Sequence, residues 1–179
     1  MINKYILIGI PNCGKSTLGL RTAEILHLSF FDTDKMTVEK MKVTNPADFF
    51  RFALNGQFIL GQLKVMEELA EFDSPAIIAT GAEVALIPEC KKLMKTMGTI
   101  IHIQRKSEIS LAGLKDKRKS RLVLRDVTHG VEIDTQKKVV ELYSQELSQY
   151  EALADFTLEN NGSEDEGLEN LIDIIKQNI

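Results

Sequence analysis

Apolar and polar positions along this chain fall into two alternating rhythms. Short apolar runs at Lys4 to Ile8, Ser29 to Phe31, Ala76 to Ala79, Thr99 to Ile103 and Phe156 to Leu158 have the length and composition of buried strands. Between them lie longer stretches with helical spacing. Residues 15–28, 35–42, 46–55, 87–97, 107–114 and 132–153 are predicted helices. Ile59, Leu63, Met66 and Ala70 fall at i, i+4, i+7 and i+11 and predict one more, with that stripe turned to the core. Asn45-Pro46 is a helix start, Pro88 falls in a first turn, and Asn55-Gly56 is a break. The late helix carries Val140, Tyr143, Leu147 and Tyr150 along one side. The last helix opens with a Ser163/Glu166 capping box and carries Leu168, Leu171, Ile172 and Ile175. Strands alternating with helices predict a three-layer α/β domain with a parallel sheet. Ligands of such a sheet sit beyond the carboxyl ends of its strands.

Composition narrows the class. With 179 residues and 44% hydrophobic residues, one domain over 1–179 can bury a full core without disulfides or metal. A net charge of −4 argues against a general nucleic-acid or membrane-surface binder. No run approaches a membrane span, and the two cysteines make no disulfide framework. A cytoplasmic monomer with a small-molecule partner is expected, with no nucleic-acid or membrane partner.

The chemistry concentrates at Gly9-Ile10-Pro11-Asn12-Cys13-Gly14-Lys15-Ser16, which reads G-x-x-x-x-G-K-S between a predicted strand and a predicted helix. Such a turn points several backbone N–H groups at one spot, where the helix dipole also favours an anion. Gly9 and Gly14 permit backbone angles that a side chain would oppose. Lys15 can reach the β- and γ-phosphates and Ser16 can ligate Mg²⁺. The expected nucleotide-binding set is Gly9, Asn12, Cys13, Gly14, Lys15, Ser16 and Thr17.

Asp32 and Asp34 lie at i and i+2 at a strand end, so both are expected on one side. Beside a phosphate loop, one can help hold Mg²⁺ and the other can orient an attacking hydroxyl. The competing reading is that Asp34 caps the following helix. Thr80-Gly81-Ala82-Glu83 is the exit loop of the third strand, with Glu83 either an acceptor-site ligand or merely exposed. The basic run Lys115, Lys117, Arg118, Lys119, Arg121 and Arg125 is either a solvated face or a lid over the phosphates. His27, His102 and His129 have no metal-ligand spacing.

Gly9–Thr17 followed by Phe31-Asp32-Thr33-Asp34 resembles shikimate kinase and its close relatives among small P-loop kinases. Ala79-Thr80-Gly81, the basic stretch near 115–125 and Tyr150-Glu151-Ala152-Leu153-Ala154-Asp155 extend the likeness along the whole chain. The resemblance implies an adenylate-kinase-like fold with strand order 2-3-1-4-5, ATP and Mg²⁺, an acceptor-binding helical part over about 35–72 and a lid over about 115–130. Carried over by position, Lys15 and Ser16 serve phosphate and metal, and Asp32 serves the metal. Asp34 binds and activates the acceptor hydroxyl. Arg121, or Arg118 in another lid register, supplies positive charge over the transferring phosphate.

The departures fall in the acceptor pocket. The family holds the shikimate carboxylate largely with arginines, one of them in a Phe-Arg-x-x-Glu motif. The matching stretch here is Phe58-Ile59-Leu60-Gly61-Gln62, without the arginine or the glutamate. A second arginine, before the tyrosine of the late helix, is replaced by Glu146. The glycine triplet becomes Gly81-Ala82-Glu83, and the proline after the lid arginine becomes Leu122. Two alternatives stand beside a kinase for a neutral or amine-bearing acceptor. One is a nucleotide-binding module that has lost transfer. The other is shikimate kinase proper with relocated cations such as Arg51, Arg125 or Lys137.

Overall fold

The computed structural model describes residues 4–42, 56–114 and 146–178. Five parallel strands form one sheet, in the order β2-β3-β1-β4-β5. They are β1 (Lys4–Ile8), β2 (Ser29–Asp32), β3 (Ala76–Ala79), β4 (Gly98–Gln104) and β5 (Phe156–Glu159). The helices are α1 (Lys15–Leu26), α2 (Thr33–Lys40), α3 (Gln57–Glu71), α4 (Pro88–Met97), α5 (Ser107–Leu114), α6, described over residues 146–153, and α7 (Glu164–Lys176). The expected helix over 46–55, the basic run and most of the late helix lie outside the described residues.

β1 is the central strand and is buried along its whole length. Alternate side chains leave its two faces toward different helices. Tyr5 and Leu7 face α1 and α7: the Tyr5 hydroxyl donates to the Asn178 carbonyl, and a Cβ on Gly19 of α1 would lie 3.0 Å from Leu7. Lys4 faces the other way, and its ammonium donates to the Leu69 and Ala70 carbonyls at 2.8 and 2.7 Å. That buried lysine closes the C-terminus of α3, where backbone carbonyls have no helical partner. Burial lowers its pKa, while the charge of Asp73 acts to raise it.

The apolar face of α3 differs from the expected stripe. Phe58, Gln62, Val65, Met66 and Leu69 are buried, whereas Ile59 is 44% exposed. The face is rotated because it includes a glutamine, which hydrophobic periodicity passes over. Gln62 is drawn inward by a hydrogen bond to a carboxylate. The start of α2 is also corrected: it begins at Thr33, and Asp32 is its cap, accepting from the Lys35 N–H at 3.1 Å. Asp34 therefore does not cap, and the two aspartates are not alternate residues of one strand. Thr80 to Glu83 is not simply a loop, since Ala82–Leu86 forms a 3₁₀-helix. The Ser163 cap of α7 forms as expected, accepting from the Glu166 N–H at 3.2 Å.

The parallel register brings Ile8, Asp32, Ala79 and His102 to one end of the sheet, where the phosphate loop, α2 and the 3₁₀-helix begin. Asp155 fastens the neighbouring edge: its carboxylate accepts from the Ile100 N–H and its own N–H donates to the Ile100 carbonyl, both at 2.8 Å.

Replacing Lys4 with methionine keeps the side-chain volume and strips α3 of this closure. Urea unfolding is expected to show a loss of about 1–3 kcal/mol. An unchanged midpoint would mean that the two carbonyls need no partner.

Candidate active site

Residues 9–14 form a loop that only particular residues can trace. Gly9 and Gly14 have φ of 143° and 107°, and Asn12 is left-handed at 58°. A Cβ on Gly9 would lie 2.5 Å from the Ile103 carbonyl oxygen, and one on Gly14 would lie 2.5 Å from Asn160 Nδ2. The loop feeds α1 with no side chain capping its first turn. Uncapped N–H groups at a helix N-terminus are an anion site.

Lys15 is 8% exposed. Its ammonium donates to the Gly9 and Ile10 carbonyls, both at 2.8 Å, with Cys13 Sγ at 3.6 Å. The charge is thus held inside the loop by its own carbonyls. Ser16 Oγ donates to Asp32 Oδ2 at 2.7 Å, and both groups are exposed. A hydroxyl and a carboxylate beside a phosphate cradle are the hard oxygen donors Mg²⁺ prefers, its remaining positions going to water and phosphate. Thr17 is exposed on the first turn of α1.

Two residues that the sequence reading passed over brace this loop from behind. Asn160 Nδ2 donates to the Cys13 carbonyl at 2.8 Å, and the Arg105 guanidinium donates to the Asn12 carbonyl at 3.3 Å. Each stands at the exit of a strand, β5 and β4, at the edge where ligands of this architecture sit. That position is the signal that could have singled them out.

Asp34 lies across the cleft. Gln62 Nε2 donates to its Oδ1 at 2.5 Å. The Gly81 Cα crowds the same oxygen so closely that a Cβ there would collide with it, and the Gly81 N–H donates to Thr33 Oγ1 at 2.9 Å. Solvent reaches Asp34, yet desolvation by the surrounding walls is the largest cause of a raised pKa. The Gln62 bond and Lys15 pull it down, and Asp32 adds to the rise.

Two further carboxylates share this wall. Glu83 is solvent-reached, with its pKa raised by desolvation and then by Asp34. Glu146, half-buried on α6, is also raised by desolvation, opposed by its Tyr150 hydrogen bond and reinforced by Glu83. The Tyr150 hydroxyl is 3.0 Å from the Ala82 carbonyl and 3.3 Å from Glu146 Oε2, so one proton serves two acceptors. Asp34, Gly81, Ala82, Glu83 and Glu146 are therefore brought together. Arg118 and Arg121 fall outside the described residues.

His102 lies beneath the loop, 1% exposed, its ring 5.4 Å from that of Tyr150. Burial, with a contribution from the Lys15 charge, pushes its pKa down to about 4. It is neutral at physiological pH.

The family model described as shikimate kinase matches residues 11–176. A shikimate kinase of Clostridium beijerinckii is 30% identical over 177 residues, covering 99% of this chain and 95% of that protein. One of Francisella tularensis subsp. novicida is 28% identical over 88% of this chain and 85% of its own length. Among solved structures, shikimate kinase from Acinetobacter baumannii in complex with shikimate superposes with a TM-score of 0.81 at 22% identity, covering 99% and 95% of the two chains. At that identity the superposition carries the fold, which is adenylate-kinase-like.

Because the folded-state pKa of His102 lies below its unfolded value, stability is lost as pH falls from about 6.5 toward 4. His102→Phe removes that loss. Relative to the parent, the variant is expected to gain about 2 kcal/mol between pH 7 and pH 5 in urea titrations. A pH-independent difference would contradict the buried neutral imidazole.

Proposed function

The chain belongs to the shikimate kinase family, and from that premise we propose that it transfers the γ-phosphoryl group of ATP to a hydroxyl that Asp34 orients on a small polyhydroxylated metabolite. As a member, it is an ATP-dependent phosphotransferase with an alcohol group as acceptor. The observation that carries the assignment of roles is the pairing of an uncapped phosphate loop with a carboxylate fixed across the cleft by Gln62 and Gly81.

In this reading Gly9, Asn12, Cys13, Gly14, Lys15, Ser16 and Thr17 hold the phosphates, with Lys15 turning from its loop carbonyls to the bound nucleotide. Ser16 and Asp32 would hold Mg²⁺, which when bound offsets phosphate charge. The acceptor oxygen forms a bond to the γ-phosphorus as the bond to the β-bridging oxygen breaks. ADP leaves with that electron pair, and the acceptor proton passes to Asp34. Arg121, with Arg118, supplies charge over the transferring group from the lid, and closure excludes water. Gly81, Ala82, Glu83, Ile59 and Glu146 form the acceptor wall. A cytoplasmic monomer completes the reading. Two free buried thiols, Cys13 and Cys90, support the reducing compartment.

Shikimate is the acceptor that the relatives' names suggest for this chain. A binding module without transfer is disfavoured by the fixed Asp34, which nucleotide binding does not need.

ADP release with Mg-ATP and an acceptor, compared between the parent and Asp34→Asn, tests the transfer role. A fall of about 100-fold or more in kcat with unchanged ATP affinity is expected. Equal turnover in the two proteins would reject Asp34 as the hydroxyl-orienting group.

A further inference from the structure

We infer that Asn160, at the exit of β5, is a positioning residue for phosphate binding: by holding the Cys13 carbonyl it aims the Gly14 N–H at the nucleotide. This rests on the nucleotide-binding part of the reading above and names a residue that acts on that site without touching the ligand.

The hold is exerted on one peptide plane. Asn160 Nδ2 donates to the Cys13 carbonyl at 2.8 Å, and the bond is buried. The peptide joining Cys13 to Gly14 is planar and trans, so its C=O and N–H point in opposite directions. A carbonyl drawn toward Asn160 therefore turns the Gly14 N–H away from it. Gly14 is the N-cap of α1, and its own carbonyl accepts the Leu18 N–H at 2.9 Å. Its N–H stands immediately before the uncapped N–H groups of the first turn and adds to the same anion site. Half a turn of that peptide would offer the phosphates a carbonyl oxygen in place of a donor.

The space around the Asn160 amide is fitted to this task. A Cβ on Gly14 would lie 2.5 Å from Nδ2, and a Cβ on Gly167 of α7 would lie 2.5 Å from Oδ1. The amide is thus confined between the loop and α7, and Asn160 is 6% exposed. Its backbone is fixed as well. The Asn160 N–H donates to the Gln104 carbonyl at 2.8 Å, extending the β4–β5 ladder, and Asn161 Oδ1 accepts the Lys106 N–H at 2.9 Å. Shape alone does not call for asparagine here. Leucine would bring no donor, and aspartate would set an oxygen against the carbonyl oxygen.

Lys15 also holds loop carbonyls, those of Gly9 and Ile10, but in the phosphotransfer reading it leaves them for the nucleotide. Asn160 is buried behind the loop and has no such second partner, so its hold on Cys13 persists through binding.

Two substitutions disturb the same bond from opposite sides. Asn160→Ala removes the donor. Gly167→Ala displaces the amide from a residue with no part in the loop, inside a helix where alanine is favoured over glycine. The test is calorimetric titration with Mg-ADP, with the Gly14 N–H followed by nitrogen-15 NMR. In the parent, Mg-ADP is expected to move the Gly14 proton downfield, as a hydrogen bond to an anion does. Each variant is expected to bind Mg-ADP at least about tenfold more weakly and to show a smaller Gly14 shift at saturation, which a merely structural role would leave intact. Gly167→Ala is expected to add little to Asn160→Ala, because the amide it displaces is already gone. If both variants bind Mg-ADP as the parent does, or the Gly14 shift at saturation is the same in all three proteins, the inference is overturned while the nucleotide site stands. If the parent does not bind Mg-ADP, the nucleotide-binding reading fails and the inference fails with it.

Discussion

The contact between Asp34 and Gly81 constrains everything built around it. The carboxylate can lie against the 3₁₀-helix only because position 81 has no Cβ. It stays there because Gln62 donates to it from α3 and Thr33, one residue earlier, accepts the Gly81 N–H. Three segments distant in sequence are thereby locked at the carboxyl end of the sheet, opposite the phosphate loop. Desolvation of Asp34 is the cost of that lock, and its raised pKa is the sign of it.

The two halves of the cleft are held by different physics. The phosphate loop is shaped by backbone: two glycines in conformations closed to other residues, a lysine that satisfies its carbonyls, and braces from Asn160 and Arg105. The opposite wall is shaped by side-chain charge: desolvation raises the pKa values of Asp34, Glu83 and Glu146, with Asp34 adding to the rise of Glu83 and Glu83 to that of Glu146. Backbone geometry of the first kind tolerates little variation. Charge of the second kind can be changed residue by residue, which is how a shared fold can serve different acceptors.

That difference explains what could be read in advance. The strands and the phosphate loop were legible because short apolar runs and G-x-x-x-x-G-K-S are local signals, whereas the strand order came with the family resemblance. The inward face of α3 was misjudged because its central residue is Gln62, buried by a hydrogen bond to a residue 28 positions away. Asp32 stands at the strand end as expected, and it also caps α2, a role that the local pattern had offered to Asp34 as a competing reading. Asn160 and Arg105 act on a loop more than 90 residues away in sequence, and no local motif marks them. Glu146 was legible only as a departure from the family pattern. Its proximity to Ala82 through Tyr150 required the fold.

The most direct measurement is the titration of the Asp34 carboxyl by carbon-13 NMR, in the parent protein and in Gln62→Leu. If Asp34 is a crowded carboxylate steadied by one amide donor, it titrates above the ordinary aspartate range in the parent and higher still once the donor is removed. A parent value at or below the ordinary 3.8, or no upward movement in Gln62→Leu, would contradict the lock on which this account of the site depends.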